Sequence, residues 1–257
     1  MRCVLIGSGR LATNLGHALM EAGHKVEAVY SRTLSNAQEL CNKIGGYATD
    51  HPHELPMESD IFIVSLKDDA LPEMLPKLTQ GRKGQMFVHT AGSLPMNIFH
   101  GLTDHYGVLY PMQTFSKQRQ VNFSEISLFL EASDIQSMAR IKMLADTLSQ
   151  HVYELDSEGR KQLHLAAVFA CNFVNHCLAM SAEVLKDKGL PFSIMLPLVD
   201  ETIMKIHEIE PMAAQTGPAV RGDSMVMQMH CNMLSDKPAL KRIYEDMSKD
   251  IQRLAEQ

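Results

Sequence analysis

Two sets of residues in this chain have types and spacings that could do chemistry. The first is Gly7-Ser8-Gly9-Arg10-Leu11-Ala12, a G-x-G-x-x-A run preceded by the apolar stretch Cys3-Val4-Leu5-Ile6. Leu11, Leu15, Ala18 and Leu19 then recur at helical spacing. In that setting the first glycine permits a tight turn and the second lets the backbone approach a pyrophosphate. The small third residue brings helix and strand together, and the free N–H groups of the helix's first turn meet the phosphate charge. The second set is His164, Asn172 and Asn175, embedded in the mostly apolar run Leu163 to Met180.

The residues around the glycine turn choose the dinucleotide. An NAD site usually ends its second strand in Asp or Glu, to hold the ribose 2′-hydroxyl. Here that stretch reads Tyr30-Ser31-Arg32-Thr33. A carboxylate would repel a 2′-phosphate, whereas Arg32 can pair with one, helped by the Ser31 and Thr33 hydroxyls. NADP(H) is the expected cofactor. Ser65 and Leu66 begin where another strand ends and should pass beside the nicotinamide end. Ala91, in His89-Thr90-Ala91-Gly92-Ser93, marks a further strand end where small residues would admit the ring. Asp68 and Asp69 suit helix caps as well as ligand contacts, and Ser93 divides in the same way.

His164 and Asn175 are eleven residues apart, close to three turns of a continuous α-helix, so they should share a face. Such polar groups need partners if buried. They either form a satisfied core network or orient a substrate, with His164 exchanging a proton and His176 a weaker candidate. In Thr216-Gly217-Pro218-Ala219-Val220-Arg221-Gly222-Asp223, two glycines and a proline hold Arg221 between helices. Its guanidinium suits either a substrate clamp or a salt bridge. The other histidines show no metal-ligand spacing, so no metal is expected. No G-x-S-x-G elbow supports hydrolysis.

Short apolar runs at Cys3–Ile6, Val26–Tyr30, Asp60–Ser65, Met86–His89, Gly107–Tyr110 and Ile126–Leu130 alternate with helical patterns. That is the signature of an α/β fold with a doubly wound, mostly parallel sheet. After Asp156 only helical stretches follow: 159–187, 191–209, 224–234 and 238–254. The expected domains are therefore 1–153, binding the dinucleotide, and 154–257, helical, binding substrate and dimerising. Met225, Met227, Met229 and Met233 fit core filling, a dimer interface or a substrate-pocket wall. A formal net charge of −6 over 257 residues and no dense basic tract give no reason to expect nucleic acid. No stretch resembles a membrane span or a secretory signal, and five cysteines without a CxxC pair suit the cytoplasm.

This arrangement resembles the superfamily of 6-phosphogluconate dehydrogenase, 3-hydroxyisobutyrate dehydrogenase, pyrroline-5-carboxylate reductase and prephenate dehydrogenase, with a Rossmann-like domain before a helical one. Tyr110-Pro111-Met112 resembles the His-Pro-Met of prephenate dehydrogenases, with tyrosine in place of histidine. His164 to His176, Pro197 to Thr202 and Thr216 to Asp223 resemble a poorly characterised branch of NADP-oxidoreductase-like proteins whose helical domain has unknown function. The hydroxyacid dehydrogenase members carry a catalytic lysine four residues before an asparagine. Val168 and Cys171 occupy those places here, so the usual proton donor is missing. The resemblance implies hydride transfer between NADP(H) and a small polar substrate in a homodimer. The alternative is a non-catalytic NADP(H) sensor.

Overall fold

The structure, a computed structural model, describes residues 1–256. It forms two compact units, Met1–Asn172 and Phe173–Gln257. The expected break near residue 153 is where strands give way to helix. The units themselves part further on, within the long helix.

In the first unit the elements run β1 (Arg2–Ile6), α1 (Arg10–Glu21), β2 (Lys25–Tyr30), α2 (Leu34–Ile44), β3 (Tyr47–Thr49), β4 (Ile61–Val64), α3 (Leu71–Thr79), β5 (Met86–His89), β6 (His105–Pro111), β7 (Leu128–Ala132), α4 (Ile135–Leu148), β8 (Val152–Glu154) and α5 (Ser157–Ala167). The strands make one sheet in the order β3-β2-β1-β4-β5-β6-β7-β8. The first six are mutually parallel, and β7 and β8 run the other way. All six expected strands are present. The three-residue strands β3 and β8 were too short to leave a readable pattern.

Alternation along each central strand builds two cores. Leu5, Ile61, Ile63 and Val88 pack on one face with Leu15, Leu40 and Ile141. Val4, Ile6, Phe62, Val64 and Phe87 pack on the other with Leu71, Leu75 and Phe99. Successive side chains on a strand point to opposite faces, so continuous apolar runs become sheet covered on both sides. Strand order reverses between β1 and β4, whose last residues, Ile6 and Val64, pair directly. A ligand crevice forms at the carboxyl ends of strands at such a point.

The second unit holds α6 (Val174–Lys186), α7 (Leu196–Lys205), α8 (Ser224–Met233) and α9 (Pro238–Ala255). Six residues of π-helix, Val168–Phe173, join α5 to α6. The helix expected over 191–209 is shorter: a 3₁₀ turn at Phe192–Met195 precedes α7, with Pro197 in its first turn. Asp223 caps α8 as expected, accepting from Val226 N at 3.3 Å.

One helix bears on the expected absence of a membrane span. Ser157–Lys186 is a helix of 30 residues, long and apolar enough to cross a membrane by length and composition, and its most apolar window is unburied. His164, Asn172 and Asn175 interrupt the apolar run in the sequence, although an 18-residue window of the helix reaches a mean hydropathy of 1.5.

Candidate active site

The phosphate turn is built as its spacing implied. Gly7 N donates to the Tyr30 carbonyl at 2.8 Å and Ser65 N to the Ile6 carbonyl at 2.7 Å, so the ends of β1, β2 and β4 are tied together. Gly7 has φ +121°, and a Cβ there would sit 2.2 Å from the Ser65 carbonyl oxygen. Glycine at 7 is thus required by the fold itself, and Leu66 lies against the same turn. Gly9 is different. A Cβ at Gly9 would meet nothing within 4 Å, so packing does not demand glycine there. Gly9 is the N-cap of α1, with no side-chain cap and no acidic residue in the first turn. No side chain caps the first N–H groups of the helix, the setting that favours a phosphate.

Ser8 Oγ donates to Ser31 Oγ at 2.9 Å, joining the turn to the end of β2. Ser31 is buried, while Arg10, Arg32 and Thr33 are exposed beside it in sequence. The guanidinium and hydroxyl are free to meet an added phosphate. The chemistry of the donor set fits NADP(H): backbone N–H groups for the pyrophosphate, and a cation with two hydroxyls for the 2′-phosphate.

The next two strand ends carry the remaining site. Ala91 and Gly92 follow β5, and Tyr110 lies near the end of β6. His164, on α5, is gripped by both. Tyr110 Oη and His164 Nδ1 are 3.1 Å apart, and the rings meet edge to face. A Cβ on Gly92 would fall 2.6 Å from His164 Nδ1. The imidazole fills the space beside Gly92. Tyr110 is buried, and burial pushes its phenol above the usual range, with the Arg160 charge pulling it partly back.

Arg160, one turn before His164, holds this geometry. It is fully buried, pairs with Glu131 of β7, and donates to the Leu94 carbonyl at 2.6 Å. Ser157 Oγ donates to Glu131 at 2.8 Å and accepts from Met96 N at 3.0 Å. Residues four apart share a helix face, so Arg160 and His164 both press α5 onto the 91–96 loop. From below, His89 Nδ1 accepts from Ala91 N at 3.2 Å. Burial, and then the Arg160 charge, lower the His89 pKa to about 3. Its Nε2 faces the Pro95 carbonyl without a well-formed hydrogen bond. Ser93 reaches the Asp68 carboxylate, linking the loops after β4 and β5.

A cavity of about 340 Å³ opens beside the pair, lined by Tyr110, Met112, Gln113 and Thr114, by Leu163 to Asn172 in part, and by His164 itself. The π turns supply Val168, Ala170, Cys171 and Asn172 to its wall. Of the expected substrate residues, His164 and Asn172 are brought to one cavity. Asn175 and Arg221 are exposed residues of the second unit. The shared face expected for His164 and Asn175 assumed a continuous α-helix, and the π turns between them break that count. Tyr110, noted in the sequence only as standing in place of a histidine, was not expected to line the site. Its position at a strand's carboxyl end, where a histidine stands in the resembling enzymes, was the available signal. Among the described residues no group of three or more His, Cys, Asp or Glu is placed to hold a metal ion.

This architecture, a parallel sheet with a phosphate turn at its switch point followed by a helical part, is the fold of the NADP(H)-dependent oxidoreductases with a helical second domain. Residues 1–113 match the model of a Rossmann-like domain, and 126–251 that of a domain of unknown function, DUF2520. The crystal structure of the putative NADP oxidoreductase BF3122 from Bacteroides fragilis is 52% identical, with 98% of each chain covered and a TM-score of 0.95. The chain belongs to the family of that protein. Protein TM1727 from Thermotoga maritima has the same fold at 23% identity, covering 99% of this chain and 100% of its own, with a TM-score of 0.80. So does an imine reductase from Myxococcus stipitatus solved with NADP⁺, at 15% identity, 100% and 94% coverage and a TM-score of 0.71. No curated protein matches the chain.

Proposed function

We propose that the chain is an NADP(H)-dependent oxidoreductase that moves a hydride between the cofactor and a small polar substrate. The observation that carries this reading is the order of groups along one sheet edge. Arg32 follows β2, the bare Gly9 cap follows β1, Ser65 follows β4, Gly92 follows β5 and Tyr110 lies near the end of β6. The name of the Bacteroides fragilis relative supports the cofactor, as do the NADP(H) complexes of structures sharing the fold.

When bound, NADP(H) supplies the two-electron hydride chemistry. The chain's own residues do the rest. The Gly7–Ala12 backbone holds the pyrophosphate, and Ser31, Arg32 and Thr33 hold the 2′-phosphate. Tyr110 Oη gives a proton to the substrate atom that gains electron density, and His164 Nδ1–H reprotonates the phenolate as His164 Nε2 takes a proton from solvent. This pair takes the place of the absent lysine. Asn172 orients the substrate from the π segment. The test is NADPH consumption, followed by absorbance, across ketones, enones and imines. Consumption that Tyr110→Phe abolishes supports the reading; cofactor binding without turnover of any of them makes the chain a sensor.

We also infer a homodimer built through Phe173–Gln257. Leu198, Met204, Met212, Met225 and Met233 are exposed there, Met225 by 83%, and Ala219 and Cys231 are its buried apolar residues. Apolar surface on this scale marks an interface. The buried Arg160 at the start of the long helix supports an interface rather than a membrane span for that helix. Five free cysteines support a reducing, cytoplasmic setting. Sedimentation without detergent should give a dimer; a monomer, or a chain that needs detergent, contradicts this.

A further inference from the structure

We infer that the substrate enters uncharged: the site takes a neutral carbonyl compound with an apolar body, and neither a carboxylate nor an ammonium. This rests on the reading of the chain as an NADP(H)-dependent oxidoreductase and names the substrate class of that same site. The cavity of about 340 Å³ lies in the range of small-molecule sites. None of its lining residues is Asp, Glu, Lys or Arg. Met112, Leu163, Ala166, Ala167 and Val168 give it apolar walls, and Tyr110, Gln113, Thr114, His164 and Asn172 give it uncharged polar groups and an imidazole.

A charge held against the apolar walls loses part of its water and finds no Asp, Glu, Lys or Arg side chain in the lining to offset that loss. Arg160 is the cation whose charge reaches Tyr110. Its guanidinium is fully buried and bonded to Glu131, the Leu94 carbonyl and Ser157; Nε has no partner, but Arg160 does not line the cavity, so a carboxylate held there does not reach it. A carbonyl oxygen, by contrast, needs one donor. Tyr110 Oη and His164 Nδ1 are 3.1 Å apart; in the tautomer inferred, with Nδ1 protonated, the imidazole donates to Oη and leaves the phenol hydrogen for the carbonyl oxygen. The need for a donor also disfavours a ligand that arrives already protonated.

The experiment uses the full chain and three probes of matched shape: acetophenone, benzoate and benzylammonium. NADPH binding is measured first by calorimetry, and each probe is then titrated into the NADPH complex. Acetophenone is expected to bind at least about tenfold tighter than either ion, the affinity equivalent of about 1.4 kcal/mol of unpaired charge. Ala167→Phe, which fills the cavity, should abolish acetophenone binding, and Tyr110→Phe should weaken it while leaving the ions unchanged. Circular dichroism checks that both variants fold. Equal or tighter binding of benzoate or benzylammonium, no acetophenone binding, or acetophenone binding untouched by both variants overturns the inference while the cofactor reading stands. A chain that takes no NADPH removes that reading and the inference with it.

Discussion

Tyr110 and His164 belong to different layers of the fold, the phenol on β6 and the imidazole on α5, yet Oη and Nδ1 lie 3.1 Å apart. Gly92 makes this meeting possible, because any side chain there would occupy the place of the ring. Under the proposed function the pair would stand in for the missing lysine: burial raises the phenol, which therefore keeps its proton, and a histidine beside it can exchange one.

Removing the phenol hydrogen while keeping the ring is the direct test of that role. Tyr110→Phe is expected to lower NADPH-dependent turnover by about 10²–10⁴-fold, the usual contribution of a positioned acid, with NADPH affinity unchanged. Unaltered turnover would contradict the assignment.

The same geometry can be broken without touching either member. In Gly92→Ala the new methyl falls 2.6 Å from Nδ1 and 2.7 Å from Cγ of His164, so the imidazole must leave Tyr110. Misplacement of about 1 Å costs on the order of 10²-fold. Turnover should fall on that scale while NADPH affinity holds, measured by steady-state kinetics and calorimetry on one preparation.

The two glycines of the phosphate turn should separate stability from binding. Gly7→Ala forces a Cβ against the Ser65 carbonyl at positive φ and should destabilise by about 2 kcal/mol or more. Gly9→Ala has an ordinary φ of −74° and open space, so thermal stability should hold or rise by about 0.5 kcal/mol. NADPH affinity should nevertheless drop, by about tenfold or more, as the methyl enters the phosphate's place. Loss of stability in Gly9→Ala would show that packing, not a ligand, fixes that glycine.

These contrasts show what the sequence could carry. The glycine turn, Arg32 and the six main strands were legible because each is local: a spacing, a strand end, an apolar run. Tyr110, Gly92, Arg160 and Glu131 come from four distant segments, and only the sheet order brings them to one loop. The π turns at Val168–Phe173 were also invisible, because a period counted at 3.6 residues assumes the α-helix it is meant to detect. Asn172 was found by that count, and its reach to the cavity depends on the turns that break it.

His89 makes the site's support sensitive to acid. Its pKa falls from 6.5 to about 3 on folding, so the unfolded chain binds the extra proton between those values. Stability from this group is therefore full above pH 6.5 and declines as pH falls toward 3. In His89→Gln, the slope of unfolding free energy against pH across that window should shrink by about one proton. An unchanged slope in denaturant titrations would show that His89 is charged in the folded protein.

The most direct measurement is a calorimetric titration of the chain with NADPH and with NADH. NADPH should bind at least about tenfold tighter, from the charge-assisted contacts of Arg32 with the 2′-phosphate, and Arg32→Ala should remove that preference. Tighter binding of NADH, or no heat with either cofactor, would contradict the cofactor site on which every other role depends.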